Sequence, residues 1–389
     1  VTPSNTPLNL EQFPSYRVDP VRGFLPAQDP LDHLPPAYEE WDRLGEDVSA
    51  LLMTGQMRRR LEKLMPLSVE NLRDDRERER AMLLLSVFAN AYVWADAKPA
   101  TRIPRGVAMP LCSLAQRLGL PPITTYPSLV LHNWRRLDAD GRIDLQNLAC
   151  LQLFLGGIDE QWFYLVSVAI ESKGAVALPA LVQAQQATLK GDLEALHSNL
   201  HTVVQALEAM IGTLMRMPEN CDPYVFYHRV RPVLTGWEAP GVVYEGVSDR
   251  PKKFYGGSAA QSPLVQALDA ALGVKHVDQE TSSYLLEMRR YMLPKHRQFI
   301  EALEHGPSIR RYVLHRGPSQ PELAEVYNRC IHLLQDFRSK HFEIAVRYIS
   351  HQAPPGTQAK GTGGTNFSAF LGKSLKETRE HLIDPHVKP

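Results

Sequence analysis

A chain of 389 residues, 44% hydrophobic and 22% charged, carries enough apolar side chain for a sizeable core and has room for two domains. Its 43 basic and 43 acidic residues give a formal net charge of +0, which offers no footing for nucleic acid or an anionic membrane surface. The four cysteines, Cys112, Cys150, Cys221 and Cys330, form no CxxC pair and no disulfide framework, a pattern that predicts a reducing, cytoplasmic setting.

The first forty residues are broken by Pro20, Pro26, Pro30, Pro35 and Pro36 and read as an extended wrap. Helical patterns follow over about 37–64 and 68–94, and the mixed-sign charge run at 73–80 fits a solvated helix face. Between 97 and 130, Pro104, Pro110, Pro121, Pro122 and Pro127 predict irregular structure with short helices and a few strands. The polar stretch 135–144 reads as a linker. Beyond it the sequence is strongly helical. One helix is expected over 161–178, ended by Pro179, and one long helix over 181–215. The longest apolar run, 162–170, is broken by Ser167 and is too short to span a bilayer. Asp222–Pro223 caps a helix running to about 235, in which Pro232 predicts a kink. A strand or two is expected at 241–247, and Ser262–Pro263 opens another capped helix. The helical period recurs at 280–290, 297–303 and 322–349, and a final short helix covers 367–382. The fold class that emerges is mainly α. A smaller mixed, mostly helical N-terminal domain covers 1–150, and a large all-helical domain covers 151–389.

Six segments could carry chemistry. Along 323–349 the apolar teeth run through Cys330, Leu333, Leu334, Phe337, Ile344 and Tyr348, and the position due after Phe337 is His341. An imidazole facing an apolar interior needs a partner, either a backbone carbonyl or a metal. The helix offers no second His, Cys or carboxylate to the same patch, so a multi-ligand zinc site is not expected, whereas a haem iron asks for one imidazole. Phe163, Ser167 and Glu171 share one face of the helix 161–178 and could floor a pocket, or Ser167 could bond back to its own helix. Arg231 lies among Phe226, Tyr227, Val230 and Leu234, where it could bind a carboxylate of a substrate or of the protein. The stretches 256–261 and 361–365 are rich in glycine but lack the lysine of a phosphate loop; each could be a turn or a lid. His197 and His201 are one turn apart with no third ligand at hand.

Taken in order, these segments resemble the haem-dependent indoleamine 2,3-dioxygenase family. The residues that carry the resemblance are Pro121-Pro122-Ile123 with Tyr126, Asn133-Trp134, Phe163-Tyr164-Leu165-Val166-Ser167, Phe226-Tyr227 with Arg231, and Gly256-Gly257-Ser258-Ala259. Arg289-Arg290-Tyr291-Met292, Arg338-Ser339-Lys340-His341 and Gly361-Thr362-Gly363-Gly364-Thr365 complete it. The resemblance implies heme b with His341 as the proximal iron ligand and Ser167 as the distal serine. It implies Phe163 and Phe226 around a substrate indole, Arg231 on the substrate carboxylate, and Thr362 in a loop that closes over the amino-acid end. It also sets Tyr126, Val130, Leu234 and Ala259 on the pocket wall, and Ser258 and Arg338 near the haem propionates. The activity implied is insertion of O2 across the C2–C3 bond of L-tryptophan to give N-formylkynurenine. The chain would act as a cytoplasmic monomer served by an electron donor, with no nucleic acid and no membrane. Tyr164 and Tyr227 stand where mammalian members carry phenylalanine, and Ser128 and Leu129 replace an acidic residue and a small thiol. Those departures bear on substrate preference. The competing readings are a haem enzyme of the same fold acting on another indole, a non-catalytic haem protein that stores or senses oxygen, and a haem-free helical interaction module.

Overall fold

The computed structural model describes residues 7–354, 361 and 367–384. Helices dominate. After the N-terminal wrap come Glu39–Met53, Met57–Leu61, Asp75–Trp94 and Arg105–Leu118. Beyond residue 150 the longer helices are Ile158–Gly174, Ala177–Lys190, Leu193–Leu214, Pro263–Leu272, Gln279–Arg289, Pro294–His305, Ile309–Arg316, Pro321–Ala345 and Phe367–Arg379. The strands are few. Arg102–Ile103 pairs in parallel with Trp237–Tyr244, which pairs antiparallel with Ser248–Phe254. The stretch expected as a linker folds into a small ribbon, in which Arg135–Arg136 pairs with Leu148–Ala149. Arg136 is fixed there by Asp29 at 2.7 Å and by the Gly141 carbonyl at 3.0 Å.

Several boundaries differ from those expected, for local reasons. Pro179 does not end a helix. It sits in the first turn of Ala177–Lys190, where its missing N–H has no intrahelical partner to lose. The long helix expected over 181–215 is two helices. Gly191 takes a left-handed conformation (φ 68°) and closes the first. The Asp192 carboxylate caps the second by accepting from the Ala195 N–H at 3.0 Å. Arg105–Leu118 is a full helix that carries Pro110 in its second turn, so the density of prolines overstated the irregularity there. Two strands, Trp237–Tyr244 and Ser248–Phe254, occupy the region where one or two were expected.

One continuous buried core runs from Leu8 to Ile383. Ile158–Gly174 lies within it, and its buried positions include Tyr164, Leu165, Val166, Val168 and Ala169. The helical stretch 158–190 is long and apolar enough to cross a membrane by composition, and 72% of its most apolar window is buried inside the molecule. Polar contacts also tie early to late sequence. Asn90 donates to the Val233 carbonyl at 2.9 Å, and the Trp94 indole N–H donates to the Thr235 carbonyl at 3.0 Å. Gly106 marks the tightest approach on the N-terminal side, because a Cβ there would lie 1.9 Å from the Leu64 carbonyl oxygen. Gly106→Ala is expected to lower the unfolding free energy by about 1–3 kcal/mol, since backbone must move to relieve the clash. A denaturant midpoint equal to that of the parent would contradict this.

Three turns depart from the α-helical pattern in the same way. At Pro127–Leu131, Phe226–Val230 and Val346–Ser350 the backbone closes i→i+5 bonds. The His132 N–H reaches the Pro127 carbonyl at 2.9 Å, the Arg231 N–H reaches Phe226, and the His351 N–H reaches Val346 at 3.0 Å. Each is a π turn, in which one extra residue bulges the helix; such turns recur at functional sites. The second of them precedes Pro232, where a kink was expected.

Candidate active site

All three π turns supply walls to one cavity. Leu129 and Val130 come from the first, Phe226 from the second, and Tyr348 and Ile349 from the third. Its atom-free space, counted with the open mouth, is about 1840 Å³. The helix Ile158–Gly174 adds Phe163, Ser167 and Ile170, and the glycine-rich stretch adds Gly257, Ser258, Ala259 and Ala260. Phe337, Arg338, His341 and Ile344 come from Pro321–Ala345, and Phe367, Phe370 and Leu371 from the last helix. The lining is overwhelmingly apolar, as expected of a site that grips a flat organic group.

His341 faces this cavity. Among the described residues no group hydrogen-bonds its ring, so the core-histidine alternative, an imidazole bonded to a nearby carbonyl, is not what the structure shows. Burial, with a smaller push from the Arg338 charge, lowers its pKa to about 4. The ring is therefore neutral at pH 7, the form that can ligate a metal. Among the described residues no cluster of three or more His, Cys, Asp or Glu side chains could hold a metal ion. A lone neutral imidazole in an apolar cavity thus fits an iron that brings its own equatorial ligands, as haem does, and does not fit a bare ion.

The aromatic floor is built by contact between helices. The Phe163 and Phe226 rings lie 4.6 Å apart at 42°, and Phe226 meets Tyr348 edge-on at 5.8 Å. Tyr348 is anchored by a 2.6 Å bond from its hydroxyl to the Cys221 carbonyl. The Ser167 hydroxyl points back to the Phe163 carbonyl at 3.4 Å, a long bond that leaves it able to reorient. Ser258 caps the turn Ala259–Gln261, accepting from the Ala260 N–H at 3.3 Å.

Two of the expected polar residues are placed differently from the rest. Arg338 lines the cavity, but its Nη2 holds both Asp269 oxygens at 2.6 and 2.7 Å and its Nη1 holds the Thr378 hydroxyl at 2.9 Å. Asp269 is joined in turn by His276 Nε2 at 3.4 Å, and His276 Nδ1 meets Glu377 at 2.8 Å. Arg231 is not among the lining residues. It sits between Phe226 and Leu234, which are, with its guanidinium 5.4 Å from the Tyr227 ring centre. Burial pulls its pKa below the ordinary arginine value. Tyr126, Val130, Phe163, Ser167, Phe226, Leu234, Ser258, Ala259, Arg338 and His341 are all brought to the same cavity. Thr362 lies outside the described residues; its neighbour Gly361 lines the cavity. Of the departures, Leu129 and Tyr164 reach the lining. Ser128 instead bonds within its own turn, to Thr125, and Tyr227 stacks on Arg231.

Sequence reasoning passed over Phe367, Phe370 and Leu371, whose i, i+3, i+4 spacing was a usable signal, and Tyr348, which had been read only as part of an apolar stripe. It also missed Asp269, because nothing local marks a partner 69 residues away from Arg338.

The structure is that of a helical protein with an apolar cavity in which His341 is the one imidazole among the described lining residues. A model of the family described as indoleamine 2,3-dioxygenase matches residues 12–381. The chain is 37% identical to indoleamine 2,3-dioxygenase 1 of Mus musculus, with 95% of each covered, and 35% identical to indoleamine 2,3-dioxygenase 2 of Homo sapiens, with 97% of each covered. It is also 35% identical to indoleamine 2,3-dioxygenase of Saccharomyces cerevisiae, covering 95% of this chain and 93% of that one. The chain belongs to the indoleamine 2,3-dioxygenase family, and with it to the dioxygenases among the oxidoreductases.

Proposed function

We propose that this protein is a haem-dependent dioxygenase that adds both atoms of O2 across the indole C2–C3 bond of L-tryptophan, giving N-formylkynurenine. The observation that carries the reading is His341, a neutral imidazole facing an apolar cavity with no hydrogen-bond partner among the described residues. His341 would hold the iron, and Ser258 and Arg338 would face the propionates. Arg338 would do so while still paired with Asp269. A bound haem supplies the activation of O2; the rest of the work falls to the chain.

That work is orientation and exclusion of water. Phe163 and Phe226 present a tilted pair of faces to the indole, and Val130, Leu234, Ala259 and Tyr126 bound its edges. Holding the ring so that C2 and C3 face the oxygen turns a chance encounter into a positioned one, an effect that can reach about 7–11 kcal/mol. The Ser167 hydroxyl is placed to hydrogen-bond in the same space. No strong general base is required: both oxygen atoms end in the product and no group leaves. The apolar lining keeps water from the reacting atoms. Arg231, cationic at neutral pH, would receive the substrate carboxylate. The iron must be kept ferrous, so an electron donor is implied, and we place the reaction in the cytoplasm, carried out by a monomer.

Mixing reduced, haem-loaded protein with O2 and L-tryptophan tests this directly; absence of N-formylkynurenine would overturn it. Arg231→Ala is expected to raise KM for L-tryptophan by roughly 10–100-fold while haem content is unchanged, the effect of losing one charge-assisted hydrogen bond. A second reading is favoured by one observation, that Arg231 stands outside the lining. An indole without a carboxylate would then be the better substrate. Tryptamine turned over faster than L-tryptophan, and unaffected by Arg231→Ala, would select that reading.

A further inference from the structure

Glu171 lies one helical turn beyond Ser167 and is 1% exposed. Its Oε1 accepts two hydrogen bonds, from the Tyr126 hydroxyl at 2.9 Å and the Ser262 hydroxyl at 2.6 Å. Those hydroxyls come from different walls of the cavity. Tyr126 immediately precedes the π turn Pro127–Leu131. Ser262 ends the glycine-rich stretch and stands at the N-terminal boundary of Pro263–Leu272, its hydroxyl turned to Glu171 instead of capping that helix. A second tie joins the same walls, since Gln261 Oε1 accepts from the Tyr126 N–H at 2.9 Å and its Nε2 donates to the Gly256 carbonyl at 2.9 Å. Tyr126 is thus held at its backbone by Gln261 and at its phenol tip by Glu171. The other oxygen of Glu171, Oε2, is buried and has no hydrogen-bond partner among the described residues. A carboxyl kept in the core with one bare oxygen costs more than an apolar side chain of the same size would, so packing alone does not account for it.

We propose that Glu171 is a positioning residue of the substrate pocket, clasping the 126–131 wall to the glycine-rich 256–262 wall and so fixing the gap into which the indole enters. The role rests on the dioxygenase reading above. The charge of the clasp changes near neutral pH. Burial pushes the Glu171 carboxyl up to about 7 against the Ser262 and Tyr126 hydroxyls, and no charged side chain is among the groups acting on it. The ionised form makes the stronger bonds to the two hydroxyls. The walls are therefore held more firmly above this value than below it, and KM falls as pH rises through about 7.

The test uses the full-length haem-loaded protein. It measures KM and kcat for L-tryptophan from acid to alkaline of neutrality, together with amide hydrogen exchange in 126–131 and 256–262. Glu171→Ala is expected to raise KM about tenfold with kcat within about twofold, and to speed exchange in both segments, as for loss of one or two hydrogen bonds. Glu171→Gln keeps the acceptor oxygen and loses the titration. It should hold exchange near the parent's acid-side rate, slower than in Glu171→Ala, and flatten the dependence of KM on pH. Tyr126→Phe removes one arm of the clasp without touching the helix, and it supplies the same reading should Glu171→Ala not fold. Exchange and KM unchanged in these variants, or a KM profile in Glu171→Gln that still follows pH, would overturn the proposal. Exchange needs no turnover, so the two readings fail separately. A parent protein inactive on tryptophan whose variants show the exchange pattern refutes the function and leaves the clasp. An active protein with unchanged exchange does the reverse.

Discussion

His341→Ala protein is expected to purify folded but without a Soret band, and to form N-formylkynurenine at less than about a thousandth of the parent rate. The reason is coordination number. Among the described residues no cluster of His, Cys, Asp or Glu could hold a metal ion, so no alternative ligand set stands ready to hold the iron. The substituted side chain leaves an apolar hole, which costs stability but does not unsatisfy any polar group, since the ring makes no hydrogen bond among the described residues. Far-ultraviolet circular dichroism should therefore be that of the parent. Imidazole added to the variant, which can enter the vacated space, is expected to restore part of the Soret absorbance. An intact Soret band in the variant without imidazole would show that the iron is held elsewhere, and the functional reading would go with it.

The second large effect is on stability. Asp269→Ala is expected to lower the unfolding free energy by about 3–5 kcal/mol, the usual result of stripping one partner from a buried ion pair. Asp269 is 6% exposed and Arg338 7%, and among the described residues the guanidinium would keep only Thr378. Burial alone would raise the Asp269 pKa, but the Arg338 charge and His276 outweigh it and hold it below the usual carboxylate value. His276 behaves in the opposite sense: burial lowers its pKa, but Asp269 and Glu377 outweigh that and raise it. The signs then follow. The Asp269 contribution is present above the unfolded carboxylate value and is lost as pH falls through its depressed folded value. The His276 contribution is present below the unfolded imidazole value and is lost as pH rises through its raised folded value. Stability from this cluster should peak between the two, and Asp269→Ala should flatten that peak. A variant whose denaturant midpoint equals the parent's at every pH would remove the cluster from the account.

Much of the site could be read from the chain itself. His341 is legible because helical spacing is strict, and a polar residue on the apolar tooth stands out. Phe163 and Ser167 follow from the same rule on the helix Ile158–Gly174. The Gly191–Asp192 break was legible in principle, because glycine followed by aspartate is a stop and a start, but the unbroken leucine stripe concealed it. The Asp269–Arg338–His276–Glu377 cluster was not legible, because its members lie on different elements and only the packing of the last helix brings Glu377 to His276. The π turns were also invisible. Periodicity registers the average pitch, and one surplus residue in a five-residue turn is lost in that average.

Those turns have a consequence for how the cavity can change. An α-helix advances about 100° per residue, so taking one residue out of a π turn, or adding one elsewhere, rotates everything downstream by about that angle. At 226–230 the side chains downstream are Arg231 and Leu234, one a candidate anchor and the other a wall. Loop length and chain register, as well as side-chain identity, are thus heritable variables of this binding space. A single codon gained or lost in such a turn can reorient a wall that many point substitutions would leave facing the same way.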